Sequence, residues 1–382
     1  MRSIILSLLE RYLVRLAQVT LAIDKPVIIG ITGSVGKTTA KEAVFHLLET
    51  AKLPVRKTGG NLNFDIGIAM TILGYDHSPA IWEWPWAILI VHLNWLLQLS
   101  RLTHLPEYLV VEMGIDRLGD MKRLTKWLKP SIGVVTWIGE GHHLEYLKDA
   151  PTIAREKGEM LRVLPKNGLA ILPAKDPNIA ILKAMSSADT ELFQATGVES
   201  IEEILAIIAK RLDIQASIAE ESMQTFKQPK GRLNIFVGIK DTTILDDSYN
   251  TSLPAIRMAL TKLSELQAKR KVAILGDILE QGDYEKEHHE KAADLVHETA
   301  DLFIGVGRRM QNVKPDYWFA DPDEAALKIP DLLEAGDGVL VKGSQGMRLE
   351  KISYSLIADK RQAKRLLPRQ DRRWQQIPFG NP

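Results

Sequence analysis

The chain has 382 residues, more than one hydrophobic core usually supports, so two domains are expected. Charged residues make up 25% and apolar residues 45%, and the formal net charge is +1, a globular composition that gives no general pull toward nucleic acid or an anionic membrane. The absence of cysteine excludes disulfides and thiolate metal centres and suits a reducing cytoplasm.

Residues 1–24 read as an amphipathic helix with Ile5, Leu8, Leu9, Tyr12, Leu13, Leu16 and Val19 on one face. Glu10, Arg11 and Arg15 interrupt the apolar run and no small-residue cleavage site follows, so it is not read as a signal peptide. The face either packs on its own domain or meets a membrane or partner.

"KPVIIGI" (25–31) reads as a buried strand, and "KTTAKEAVFHLLET" (37–50) as the helix after it. Further apolar runs at 107–113, 131–137 and 168–173 alternate with helical stretches, which predicts a mostly parallel sheet covered on both faces. A second alternation of strands and helices begins near residue 229, after a linker at 226–231. The predicted fold is α/β: a helix at 1–24, a P-loop domain at 25–228, and a Rossmann-like domain at 229–382.

Residues 77–106 hold four of the eight tryptophans. No residue from Trp84 to Ser100 is charged, but Pro85, His92, Asn94 and Gln98 interrupt the run, which is marginal for a membrane span. Three readings stay open: a spanning helix, a helix hairpin lying on the membrane or on a partner, and a helix buried against the first domain.

Between the first strand and its helix lies "TGSVGKTT", residues Gly33, Ser34, Val35, Gly36, Lys37, Thr38 and Thr39 among them. The two glycines let the backbone curl its N–H groups toward an anion, and the helix N-terminus adds a positive dipole end. Lys37 reaches phosphate as a point charge, and the Thr38 hydroxyl suits magnesium. Ile31 stands where the usual P-loop has its first glycine. Neither the arginine-rich lid of a small-molecule kinase nor the base-reading motif of a GTPase is found.

In chain order follow "GGNLNFDIG" (59–67), "VVEMG" (110–114), "HLEYL" (143–147), "AREKGEM" (154–160), "KGRLN" (230–234), "DDSYN" (246–250), "AILGDILEQG" (273–282) and "LVKGSQGMRLEK" (340–351). Together with the loop, these motifs resemble the Mur ligases from about residue 26 to about residue 357. The resemblance implies an ATP-dependent amide ligase of peptidoglycan precursor synthesis. A substrate carboxylate is activated as an acyl phosphate and is then attacked by an amine such as D-alanyl-D-alanine. It implies ATP, two magnesium ions and a small-molecule cell-wall precursor. Lys37 would serve the phosphates and Thr38 and Glu112 the first magnesium. His143, preferred over His142, and Lys157 would serve the second. Lys157 would do so as a carbamate formed from carbon dioxide, because a protonated amine repels a cation. Arg232, Asp247 and Asn250 would meet the nucleotide from the second domain, and Asn61 and Asn63 would shape the substrate cleft.

The sequence departs from that family in three places. Only a helix's length precedes the phosphate loop, where the family has a domain gripping the uridine nucleotide. "TSLP" follows the "YN" turn in place of the usual asparagine-proline, and 77–106 is foreign to the pattern. The precursor would then be held another way or by a partner, or a polyglutamate-type carboxylate would be the acceptor. A nucleotide-binding scaffold for a membrane or protein partner is the non-enzymatic alternative. The expected location is the cytoplasm, with the inner face of the membrane open through 77–106.

Overall fold

A computed structural model describes residues 2–60, 62–77, 79, 83–139, 147–195, 199–371 and 374. The chain forms two compact units, the first ending at Phe226 and the second beginning at Lys227.

The first unit is built on six parallel strands: β1 (Val27–Thr32), β2 (Val55–Lys57), β3 (Tyr108–Glu112), β4 (Ile132–Val135), β5 (Leu169–Pro173) and β6 (Asp189–Phe193), in the order β2-β3-β1-β4-β5-β6. All its pairings are parallel, as the buried apolar runs predict. On one face Ile29, Ile31, Val110, Val134 and Ile171 pack under the helix Lys37–Thr50 and a helix pair behind it. On the other face Gly30 and Gly133 admit the helix Ala150–Arg162, whose Met160 sulfur would lie 3.0 Å from a Cβ on Gly30. Succession reverses around β1, so the carboxyl ends of β1, β3 and β4 open one crevice, and Ile31 pairs with Glu112 there.

The second unit carries β7 (Asn234–Val237), β8 (Thr243–Asp247), β9 (Lys271–Gly276), β10 (Leu302–Val306), β11 (Tyr317–Phe319) and β12 (Gly338–Lys342), in the order β11-β10-β9-β12-β8-β7. Only β7, an edge strand, runs antiparallel. Helices Leu253–Glu265 and Glu285–Thr299 cover one face, and Pro322–Leu332 and Glu350–Leu356 the other. This is the expected Rossmann-like α/β arrangement.

Three readings of the sequence need correction. The N-terminal helix, Arg2–Asp24, buries Leu13, Leu16, Ala17 and Thr20, while Leu8 and Tyr12 of the predicted face are exposed. It packs on two other helices, Asp65–Ile72 and Trp84–Leu99, so the reading that it packs on its own domain holds, with Ala17 and Thr20 sharing the buried stripe with Leu13 and Leu16 of the predicted face. Within 77–106 the described residues hold one helix, Trp84–Leu99, rather than a hairpin, and no described helix is long and apolar enough to cross a membrane. It is not fully buried either, because only Ala87, Val91 and Gln98 are enclosed.

Candidate active site

In the first unit, Gly36 caps the helix Lys37–Thr50 in the left-handed region (φ 86°), and no side chain caps that end. The first-turn N–H groups of Lys37, Thr38 and Thr39 therefore keep the anion-binding character of a helix N-terminus. The loop before them is less available than its glycines suggest, because the N–H groups of Ser34 and Val35 donate to the Trp137 carbonyl at 2.6 and 3.4 Å. The Lys37 ammonium folds over the loop, donating to the Gly33 carbonyl at 2.8 Å. Gly33 has φ 147°, and a Cβ there would lie 2.1 Å from the Thr136 hydroxyl. Gly33→Ala is accordingly expected to cost about 2 kcal/mol and several degrees of Tm, and to displace the loop. Thermal melts and nucleotide titration check it; an unchanged Tm would show that the loop tolerates a side chain.

An oxygen-rich cluster sits against this loop. Glu112 ends β3, and its carboxylate accepts from the Thr38 hydroxyl at 3.0 Å and from the Asn63 amide at 3.4 Å. Asn63 Oδ1 is buried without a hydrogen-bond partner. The backbone holds Asn63 in place: Gly114 N–H donates to the Asn63 carbonyl at 2.9 Å, and a Cβ on Gly114 would strike the Asn63 side chain at 2.9 Å. Lys41, fully buried, donates to the Thr58 carbonyl at 2.9 Å and stands 3.7 Å from Glu112. A hydroxyl, a carboxylate and an unpartnered amide oxygen form a hard-donor set of the kind that suits magnesium, which commonly takes few protein ligands and completes its shell with phosphate and water.

Lys157 lies on the helix Ala150–Arg162. Asp149 caps its helix by accepting from Thr152 N–H at 2.7 Å, and Pro151 fits the first turn. The stretch 153–160 reads as a surface with mixed charges, yet Ile153, Ala154, Glu156, Lys157, Gly158 and Met160 are all buried. Glu156 there accepts from the Met121 N–H at 2.9 Å. Burial, then the positive charge of Lys37, holds the Lys157 ammonium well below the ordinary lysine range, against the opposing pull of Asp116, Glu112 and Glu156. Lys37, Glu112 and Lys157 therefore share one electrostatic neighbourhood. Asn61 and His143, with the neighbouring His142, lie outside the described residues.

The second unit gathers Arg232, Asp247 and Asn250 around the carboxyl ends of β8 and β12. Asp247 pairs with Lys342, whose ammonium also donates to the Asn250 carbonyl at 3.1 Å. The Asn250 side-chain oxygen accepts from the Thr251 and Gln345 N–H groups at 2.9 and 3.3 Å. Arg232 stacks on Tyr249, its guanidinium carbon 4.5 Å from the ring centre, and Arg369 stacks on the same ring at 4.7 Å. Arg369 also donates to the Tyr249 carbonyl at 2.9 Å and to Glu350 at 3.1 Å, so the "DDSYN" turn is braced from near the C-terminus.

Sequence reasoning missed Lys41, Lys342 and Arg369. Lys342 left a trace, a cation closing the apolar run "GVLV". Lys41 left none, since a lysine one turn after Lys37 looks like solvated surface.

Asp246, beside this turn, is fully buried, with the Ser353 hydroxyl donating to it at 2.6 Å and its second oxygen unpartnered. Burial pushes its carboxyl up to about 7. The folded state then holds a proton that the unfolded chain releases near the ordinary aspartate value, so stability falls as pH rises from about 4 to about 7. Asp246→Asn should flatten that decline in denaturant midpoints. Parallel curves for both proteins would contradict the assignment.

An α/β fold with a glycine-rich loop opening a helix, an oxygen-rich cluster beside that loop and a buried lysine in the same electrostatic neighbourhood is the arrangement expected of a Mur-type enzyme. Two family models agree: the Mur ligase middle domain matches residues 91–240, and the Mur ligase glutamate ligase domain matches residues 231–345. The chain belongs to the Mur ligase family. Among its relatives, the UDP-N-acetylmuramoyl-tripeptide–D-alanyl-D-alanine ligase of Rickettsia prowazekii is 26% identical over 86% of this chain and 78% of its own. The enzyme of the same name from Bacillus subtilis is 26% identical over 86% of this chain and 76% of its own. The crystal structure of MurF ligase from Thermotoga maritima in complex with ADP superposes with a TM-score of 0.74 at 22% identity, covering 93% of this chain and 84% of that one.

Proposed function

We propose that this chain is a cytoplasmic, ATP-dependent ligase of peptidoglycan precursor synthesis, joining a muramoyl peptide carboxylate to an amine such as D-alanyl-D-alanine. The observation that carries the reading is the Thr38–Glu112–Asn63 cluster beside the phosphate loop, within electrostatic reach of a buried lysine. The names of the relatives support the choice of substrates.

In this reading Lys37 and the first-turn N–H groups hold the β- and γ-phosphates of ATP. A carboxylate oxygen of the acceptor attacks the γ-phosphorus and the bond to ADP breaks, giving an acyl phosphate. The amine nitrogen then attacks the acyl carbon, inorganic phosphate leaves, and the amine gives up a proton. Thr38 and Glu112 would hold one magnesium, with Asn63 Oδ1 beside it, and Lys157 and His143 a second. Bound magnesium would supply charge neutralisation between the phosphates and the attacking carboxylate. Burial favours the neutral amine of Lys157, the form that takes up carbon dioxide, so Lys157 would act as a carbamate with a carboxylate-like head. Arg232, Asp247 and Asn250 would serve the nucleotide, with Lys342 fixing the Asp247 carboxylate.

The test is phosphate release from ATP by the purified chain given UDP-linked muramoyl tripeptide and D-alanyl-D-alanine, with mass detection of the product. The expected product is the joined peptide. Phosphate release only with glutamate and a non-muramoyl carboxylate would move the enzyme to the polyglutamate type. No release with any acceptor and amine would overturn the ligase reading.

A further inference from the structure

We propose that the outer face of the helix Trp84–Leu99, with the adjoining edge of the N-terminal helix, seats the chain on an anionic lipid surface. This rests on the surface alone and stands independently of the reaction proposed above.

The two helices lie side by side and run in the same direction. Tyr12 hydrogen-bonds the His92 ring at 2.8 Å, the Thr20 hydroxyl donates to Gln98 at 3.3 Å, and Asp24 accepts from the Leu105 N–H at 2.7 Å. The inner stripe of the second helix is used up in this way. On its opposite side Trp86, Leu89, Ile90, Leu93, Leu96 and Leu97 are 40–65% exposed. Their spacing of three and four residues places them in one continuous stripe. A helix facing water normally presents charge there, and this helix has none from end to end. Leu8 and Tyr12 of the N-terminal helix continue the apolar surface across the helix pair.

Charge decides what covers it. Among the described residues 6–25 and 83–104, the exposed ionised side chains are Arg11, Arg15, Lys25 and Arg101, all cationic. The acidic Glu10, Asp24 and Glu83 are partly or wholly covered, and the Asp24 side chain is only 6% exposed beside His104. A second copy docked by this face would set cation against cation with only the half-covered Glu10 and Glu83 to offset them. Lipid phosphates offset such cations. The helix is too short to span but lies about 24 Å along its axis, from 16 residues, so it would rest in the interface plane. Trp86 at one end suits the headgroup level, and Arg11 and Arg15 can extend beside the apolar face toward phosphate.

Co-sedimentation of the full chain with phosphatidylcholine vesicles, with and without phosphatidylglycerol, tests the proposal. The chain should pellet with the anionic vesicles, less so at high salt. Leu93→Glu with Leu96→Glu should weaken that binding at least about tenfold, as should Arg11→Glu with Arg15→Glu, both with unchanged melting curves. The proposal is overturned if the chain stays in solution with both vesicle types, or if the leucine variant pellets like the parent. It is equally overturned if the parent is a dimer that the leucine variant makes monomeric, because a second copy would then be the occupant.

Discussion

Lys157→Ala is expected to lower kcat about a thousandfold or more while the chain stays folded and still binds nucleotide. The position is enclosed, and its amine is depressed by burial and by Lys37 while three carboxylates pull the other way. An ordinary ammonium would be repelled by a cation beside Glu112, whereas a carbamate head would hold it. Two further readouts separate this from simple loss of packing. Small carboxylic acids that enter the vacated space should restore part of the activity, and added bicarbonate should raise the rate of the parent but not of the variant. Stability supplies the second. Because the folded amine sheds its proton more readily than the unfolded one, the parent should gain stability as pH rises toward the ordinary lysine value, and the variant should gain less. Turnover within a few fold of the parent would remove Lys157 from the reaction.

Glu112→Gln should be nearly as damaging, with kcat/KM down about a hundredfold to a thousandfold and a higher magnesium concentration needed for half-maximal rate. The substitution keeps the shape and the Thr38 contact while removing the charge on which a cation depends. It also takes one carboxylate from the fully buried Lys41, leaving that ammonium to Glu42, 3.2 Å away, and the Thr58 carbonyl. A stability loss of about 1–3 kcal/mol should therefore accompany the kinetic effect. A magnesium dependence unchanged from the parent would show that Glu112 does not serve the metal.

The central strands were legible because both their faces are covered, which writes them as unbroken apolar runs such as "YLVVE" and "VLVK". The strands that the sequence hides, β2, β6 and β11, lie at sheet edges. "VRK" and "DTELF" carry charge there because one side meets water. Lys37 and Thr38 were legible from the turn that precedes them. Glu112 and Lys157 were found only through resemblance, since nothing in "VVEMG" or "AREKGEM" announces that residues 45 apart in sequence share one electrostatic site. Lys41 could not be found at all. Its environment is made by Thr58 and Glu112, and a helix sequence holds no record of what a distant strand end will bring to it. The N-terminal helix was legible in part: Leu13 and Leu16 of its predicted face are buried, whereas Leu8 and Tyr12 lie outside the side that its two neighbours cover.

The brace formed by Arg369 bears on how shortened versions of this protein would behave. The matched Mur ligase regions end at residue 345 and the last shared motif at residue 351, whereas Arg369 lies beyond both, bonded to Glu350 and stacked on Tyr249. An expression plasmid that stopped after the helix Glu350–Leu356 would discard it together with Trp374, whose carbonyl accepts from Arg348 at 2.9 Å. Such a fragment would retain every motif by which the family is known. It would also open the buried Arg348–Glu350 pair to water and leave the "DDSYN" turn without its support. Failure of that fragment to turn over substrate would report the trimming and say nothing about the chemistry.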